Sequence, residues 1–155
     1  MSQEPSPEVV DAILTASRAL LGVVARSVSD ALHDVTLPQF RVLVVLSSTG
    51  PLRIGALAEK MSANPSTFSR TIDRMVTGGW VGRASSIDSR REVLVHITEQ
   101  GHALVDEVTE RRRTEVARIL HDVPVAERDG IARALTSFTA AAGEPNPKAL
   151  LILGL

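Results

Sequence analysis

Residues 66–74 of the chain carry Ser66, Thr67, Ser69, Arg70 and Arg74, and residues 88–91 carry Asp88, Arg90 and Arg91. Hydroxyls and guanidinium forks clustered in this way make hydrogen bonds rather than break covalent ones. An arginine fits the two acceptors on the edge of guanine, and serine and threonine reach bases or phosphates. That is the chemistry of reading a nucleic acid. Bond-making chemistry has no comparable cluster: neither G-x-S-x-G nor G-x-x-x-x-G-K occurs, so the chain is not read as an enzyme. The histidines His33, His96, His102 and His121 fall at no compact metal spacing. The absence of cysteine removes thiolate zinc sites, cysteine nucleophiles and disulfides. No metal or cofactor is expected.

These side chains need elements to present them. Ile54, Leu57, Ala58 and Met61 predict a short one-faced helix, Ser62-Ala63 a tight turn, and Asn64-Pro65 a capped start to a second helix. In that second helix Phe68, Ile72, Met75 and Val76 fall on one face, leaving Ser66, Thr67, Ser69, Arg70, Asp73 and Arg74 outward. Gly78-Gly79 stops it. Trp80-Val81 then opens an extended segment expected to pair with residues 93–97 across a turn at about 86–91. A helix fits the major groove, and its first turns reach base edges. Arg70 is the candidate for guanine and Arg74 for a base or a phosphate. Asn64, Pro65 and the free N–H groups that follow would meet a phosphate at the helix start. At the hairpin tip Arg90 and Arg91 suit a minor groove, whose negative potential attracts arginine. Asp88 would hold an arginine extended, and Arg83 would anchor a phosphate.

The flanking segments read as helices. Apolar residues recur at three and four from Pro7 to Leu32, predicting one long helix. Thr36-Leu37-Pro38-Gln39 matches a capping box for a helix running to Ser48, and Gly50-Pro51 ends it. Thr98 is placed to cap a helix from Glu99 to about Leu120, and a last helix after Val123-Pro124 carries Ile131, Leu135 and Phe138. The expected fold is mainly α with a small β-hairpin wing: a winged helix-turn-helix whose N- and C-terminal helices form a dimerisation scaffold. It forms one domain over 1–155, with 36–98 as the winged-helix DNA-binding region and 8–35 and 99–155 as the dimerisation helices. Apolar stripes at both chain ends have little to pack against within one subunit, and pairing across a two-fold axis would bury them. The apolar tail 149–155 is too short to span a bilayer and is expected to pack on that helical face. With no signal pattern in Met1-Ser2-Gln3-Glu4-Pro5, a cytoplasmic, membrane-free location is expected.

Charge supports this division. The net charge of −1 excludes a strongly basic, sequence-independent nucleic-acid binder. It conceals an asymmetry: residues 1–52 hold 3 basic and 5 acidic side chains, 53–91 hold 7 and 3, and 92–155 hold 7 and 10. Only the middle segment is net positive, and acidic flanks repel phosphate. A winged helix used solely for protein contact is the competing reading. It predicts binding indifferent to salt, whereas counterion release makes DNA affinity fall steeply with salt.

The order of these motifs resembles the MarR family of bacterial winged-helix transcription regulators. The likeness runs through residues 36–43, Leu57-Ala58, residues 66–70, Ile72-Asp73-Arg74-Met75, Gly79-Trp80-Val81, the Asp/Arg wing tip and residues 97–101. Trp80 stands where the family often has leucine or isoleucine, and the wing spacing leaves both Arg90 and Arg91 as candidates for the minor-groove arginine. The resemblance implies a homodimer presenting two winged helices to double-stranded DNA at a pseudo-palindromic operator, more often as a repressor. It also implies a small aromatic or anionic effector that binds between the dimer helices and the reader and releases DNA. It assigns no effector-binding residue.

Overall fold

The structure is a computed structural model that describes residues 4–85 and 93–142. The first helix, α1 (Pro7–Val28), starts under Ser6, whose hydroxyl accepts from the Val9 N–H, with proline in the first turn. It ends at Val28 instead of continuing to Leu32, and a short 3-10 turn, Ala31–His33, follows. Local side-chain competition accounts for the break. The Ser27 and Ser29 hydroxyls donate back to the carbonyls of Val24 and Arg26, and the His33 N–H closes a tight turn on the Asp30 carbonyl.

The next helix, α2 (Leu37–Thr49), begins with the predicted capping box: Thr36 N–H donates to Gln39 Oε1 at 2.8 Å, and Gln39 N–H to Thr36 Oγ1 at 3.4 Å. It ends at Gly50, whose φ of 79° suits glycine. Phe40 and Val42 through Leu46 are all buried, so α2 is apolar nearly all round because it is enclosed nearly all round. Against it pack α3 (Ile54–Lys60) and α4 (Pro65–Thr77) through Leu57, Ala58, Phe68, Ile72 and Met75.

The expected hairpin is one part of a three-stranded antiparallel sheet. Strands β2 (Val81–Ser85) and β3 (Val93–Ile97) pair with Val81 opposite Ile97 and Arg83 opposite Val95. On the far side of β3 lies β1 (Leu52–Arg53), so the order is β1-β3-β2. Two residues are too few for any periodicity to mark a strand, which is why β1 was not expected. It pairs with the free edge of β3 and holds the wing base to the start of α3.

Helix α5 (Glu99–His121) is pinned to this sheet at its start. Thr98 Oγ1 donates to the Gly79 carbonyl at 2.6 Å and accepts from Gly101 N–H at 3.2 Å. At Gly101 a Cβ would stand 2.5 Å from the Trp80 carbonyl oxygen and 2.7 Å from Ile97, so only glycine permits this approach. Further along, α5 is laced to α1 by Arg26–Glu115 at 2.8 Å and a bond from Arg112 Nε to the buried Ser27 hydroxyl, and to the start of the 3-10 turn by Arg111–Asp30 at 2.6 Å. Burial lowers the Arg112 pKa. Hydrogen bonds from Arg118 and Arg26 hold the Glu115 carboxyl below its usual range.

The last helix, α6 (Val125–Ala141), buries no residue. Leu135 and Phe138 stay 45% and 50% exposed, and along α1 Val9, Ile13, Leu14, Leu20 and Leu21 are also exposed. These apolar faces lie at the two ends of the chain, as the sequence stripes predict, and are uncovered in a single copy. Among the described residues no helix is long and apolar enough to cross a membrane. The apolar tail 149–155 lies outside the described residues.

Candidate nucleic-acid interface

Helices α3 and α4 are joined by a turn whose pivot is Ser62, at φ 50°. Ala63 N–H donates back to the Ala58 carbonyl at 2.9 Å, fixing the angle at which α4 leaves. Asn64 and Pro65 sit at the cap and the first helical position, as expected. The Asn64 side-chain oxygen accepts from the Ser66 N–H at 3.1 Å and from the Ser66 hydroxyl at 2.7 Å. That oxygen is spent on the cap, whereas the Asn64 amide N–H groups remain able to donate outward.

The faces of α4 follow from its periodicity. Phe68, Ile72 and Met75 are buried against the core. On the opposite side Arg70 and Thr77 stand at the middle of the exposed arc, between Asp73 at one edge and Thr67 and Thr71 at the other. Arg74 and Ser66 are exposed within the same arc. Ser69 is only half-exposed and lies beyond the Asp73 edge, toward the sheet. Of the predicted major-groove set, Ser66, Thr67, Arg70 and Arg74 therefore share one outward surface, and Ser69 lies at its margin.

Each edge of that arc carries a cation. On the sheet side Arg83 of β2 donates from Nη2 to Asp73 Oδ1 at 2.6 Å, with both side chains substantially exposed. This ties β2 to α4. On the other side α4 and α2 enclose a hollow of about 360 Å³ with Arg41 on one wall, Met61 and Phe68 in its floor, and Asn64, Thr67 and Thr71 opposite. Arg41 is half-buried. Neither Asp73 nor Arg41 was singled out from sequence. The Asp73–Arg83 pair spans a helix end and a strand, which no fixed spacing encodes, and Arg41 lies in a helix whose pattern announces only burial. The wing-tip residues Asp88, Arg90 and Arg91 lie outside the described residues.

Comparison with known proteins agrees with this architecture. The model of the MarR family matches residues 35–93. The uncharacterized HTH-type transcriptional regulator YfiV of Bacillus subtilis is 30% identical over 108 residues, covering 70% of this chain and 68% of its own length. The HTH-type transcriptional repressor MdtR of the same species is 30% identical over 88 residues, 57% of each chain. The crystal structure of RV1404 from Mycobacterium tuberculosis superposes with a TM-score of 0.81 at 44% identity, covering 93% of this chain and 99% of that one.

Proposed function

The chain belongs to the MarR family of helix-turn-helix, DNA-binding transcriptional regulators, and on that premise we propose that it acts as a homodimeric repressor on a pseudo-palindromic operator. The observation that carries the reading is the outward surface of α4, where Arg70 and Arg74 stand among hydroxyls on a helix fixed by its cap and by the Asp73–Arg83 pair. In this reading α4 lies in the major groove and Arg70 bonds a guanine, with Ser66, Thr67 and Arg74 on neighbouring bases or phosphates. Arg90 and Arg91 grip the minor groove beside it, aided by Asp88, and Arg83 shares its remaining donors with a phosphate.

The exposed apolar faces of α1 and α6 support the dimer, since a second copy would bury them. Two readers across a two-fold axis then address half-sites about 10 base pairs apart. Repression is supported by the name of the relative MdtR, a transcriptional repressor. Family membership supports a small aromatic or anionic effector acting between the dimer helices and the readers to release DNA, in the cytoplasm and without catalysis by the protein.

The test is to map binding sites of the protein across its own genome and to measure affinity for the recovered sequence at several salt concentrations. A two-fold-related motif bound with a steep negative salt slope is the expected result. Salt-indifferent binding, or recovery of no sequence motif, overturns it. Replacing both Arg90 and Arg91 with alanine should weaken binding to every sequence alike and flatten the slope.

A further inference from the structure

We propose that Arg41 is a second phosphate anchor, gripping the DNA strand on the side of the recognition helix away from the wing. The inference rests on the DNA-binding reading and adds to it a contact on the opposite edge. The major groove is about 12 Å wide, and a helix with its side chains is about as wide. When α4 lies in the groove with Arg70 central, one sugar-phosphate strand must therefore pass along each edge of its exposed arc. One edge is met by Arg83 at the wing base. The other is the hollow where Arg41 of α2 faces Asn64, Thr67 and Thr71 across a floor of Met61 and Phe68.

Three features suit that hollow to a phosphodiester. Met61, Ala63 and Phe68 line it beside Arg41, an apolar surface along which an arginine stem can lie while its charged head stays in water. Arg41 is half-buried and, among the described residues, enters none of the ion pairs that occupy Arg26, Arg83, Arg111, Arg113 and Arg118. A partly desolvated cation without a carboxylate has the most to gain from an anion. Opposite it, the Asn64 amide, whose oxygen is already spent on the cap, and the Thr67 hydroxyl supply neutral donors for the same phosphate.

The experiment measures binding of the wild-type protein, Arg41→Ala and Arg41→Lys to one cognate and one unrelated duplex over a series of salt concentrations. Circular dichroism melting is recorded alongside to establish that the variants are folded. Loss of one phosphate contact should make the slope of log affinity against log salt shallower by about 0.9 for Arg41→Ala and weaken both duplexes by about 3- to 10-fold. Arg41→Lys should retain most of the wild-type slope. If Arg41→Ala keeps the wild-type slope, the proposal is overturned even where affinity falls, because a residue that only positions α4 releases no counterion. Wild-type protein that binds neither duplex in a salt-dependent way overturns the DNA-binding reading itself, and the role of Arg41 with it.

Discussion

Arg70 and Asp73 are three residues apart on one exposed arc and carry opposite charges, and DNA would treat them differently. Arg70 stands at the middle of the arc, where a two-bond contact to guanine discriminates by about 1–3 kcal/mol. Arg70→Ala should therefore lower affinity for the operator by that amount and leave affinity for unrelated DNA nearly unchanged, which competition binding measures directly. An equal loss on both duplexes would make Arg70 a phosphate contact instead. Asp73 is an anion at the edge of the same arc, paired with Arg83 at 2.6 Å. Asp73→Asn keeps the shape, removes the repulsion and frees the guanidinium. Affinity for any duplex should rise several-fold with a steeper salt slope, and an unchanged slope would mean that Arg83 does not reach phosphate.

At the level of elements, what the sequence discloses depends on how local the cause is. The caps at Thr36, Asn64 and Thr98 are legible because the donor, the acceptor and the turn lie within four residues. The inward face of α4 is legible because Phe68, Ile72 and Met75 repeat at the helical period. The end of α1 at Val28 is harder to read, since apolar spacing continues to Leu32 while Ser27 and Ser29 compete for the backbone. Strand β1 is set by pairing with β3, far along the chain, and the Asp73–Arg83 pair by the angle of the turn between α4 and β2, which hydrophobic periodicity does not report. The junction of the sheet with α5 offers a test of this kind of packing. Thr98→Ala removes both the bond to Gly79 and the cap on Gly101, costing about 1–2 kcal/mol. Gly101→Ala forces a methyl against the Trp80 carbonyl and should cost at least as much, about 1–3 kcal/mol. Denaturant unfolding measures both, and a neutral Gly101→Ala would show that α5 can slide relative to the sheet.

For the whole molecule, the exposed large apolar side chains among the described residues lie in the acidic segments that flank residues 53–91. A helix of 17 residues with none buried gains little hydrophobic stabilisation from its own chain, and Ile131, Leu135 and Phe138, still 37%, 45% and 50% exposed, repeat along it at helical spacing. Burying such side chains contributes about 1.5–3 kcal/mol each when complete, so even partial burial of several against a second copy would hold a dimer together. Leu135→Glu combined with Phe138→Glu places two desolvation-sensitive charges in that contact and should shift the protein to monomer in sedimentation. Melting of the wild-type protein should also depend on its concentration, and this dependence should disappear in the double variant. The variant's reader should keep its fold, because the core of α2, α3, α4 and the sheet includes no residue of α6. Its binding to a two-half-site operator should then fall to about the level of a single half-site. A double variant that remains dimeric would place the interface elsewhere and remove α6 from the scaffold that spaces the two readers.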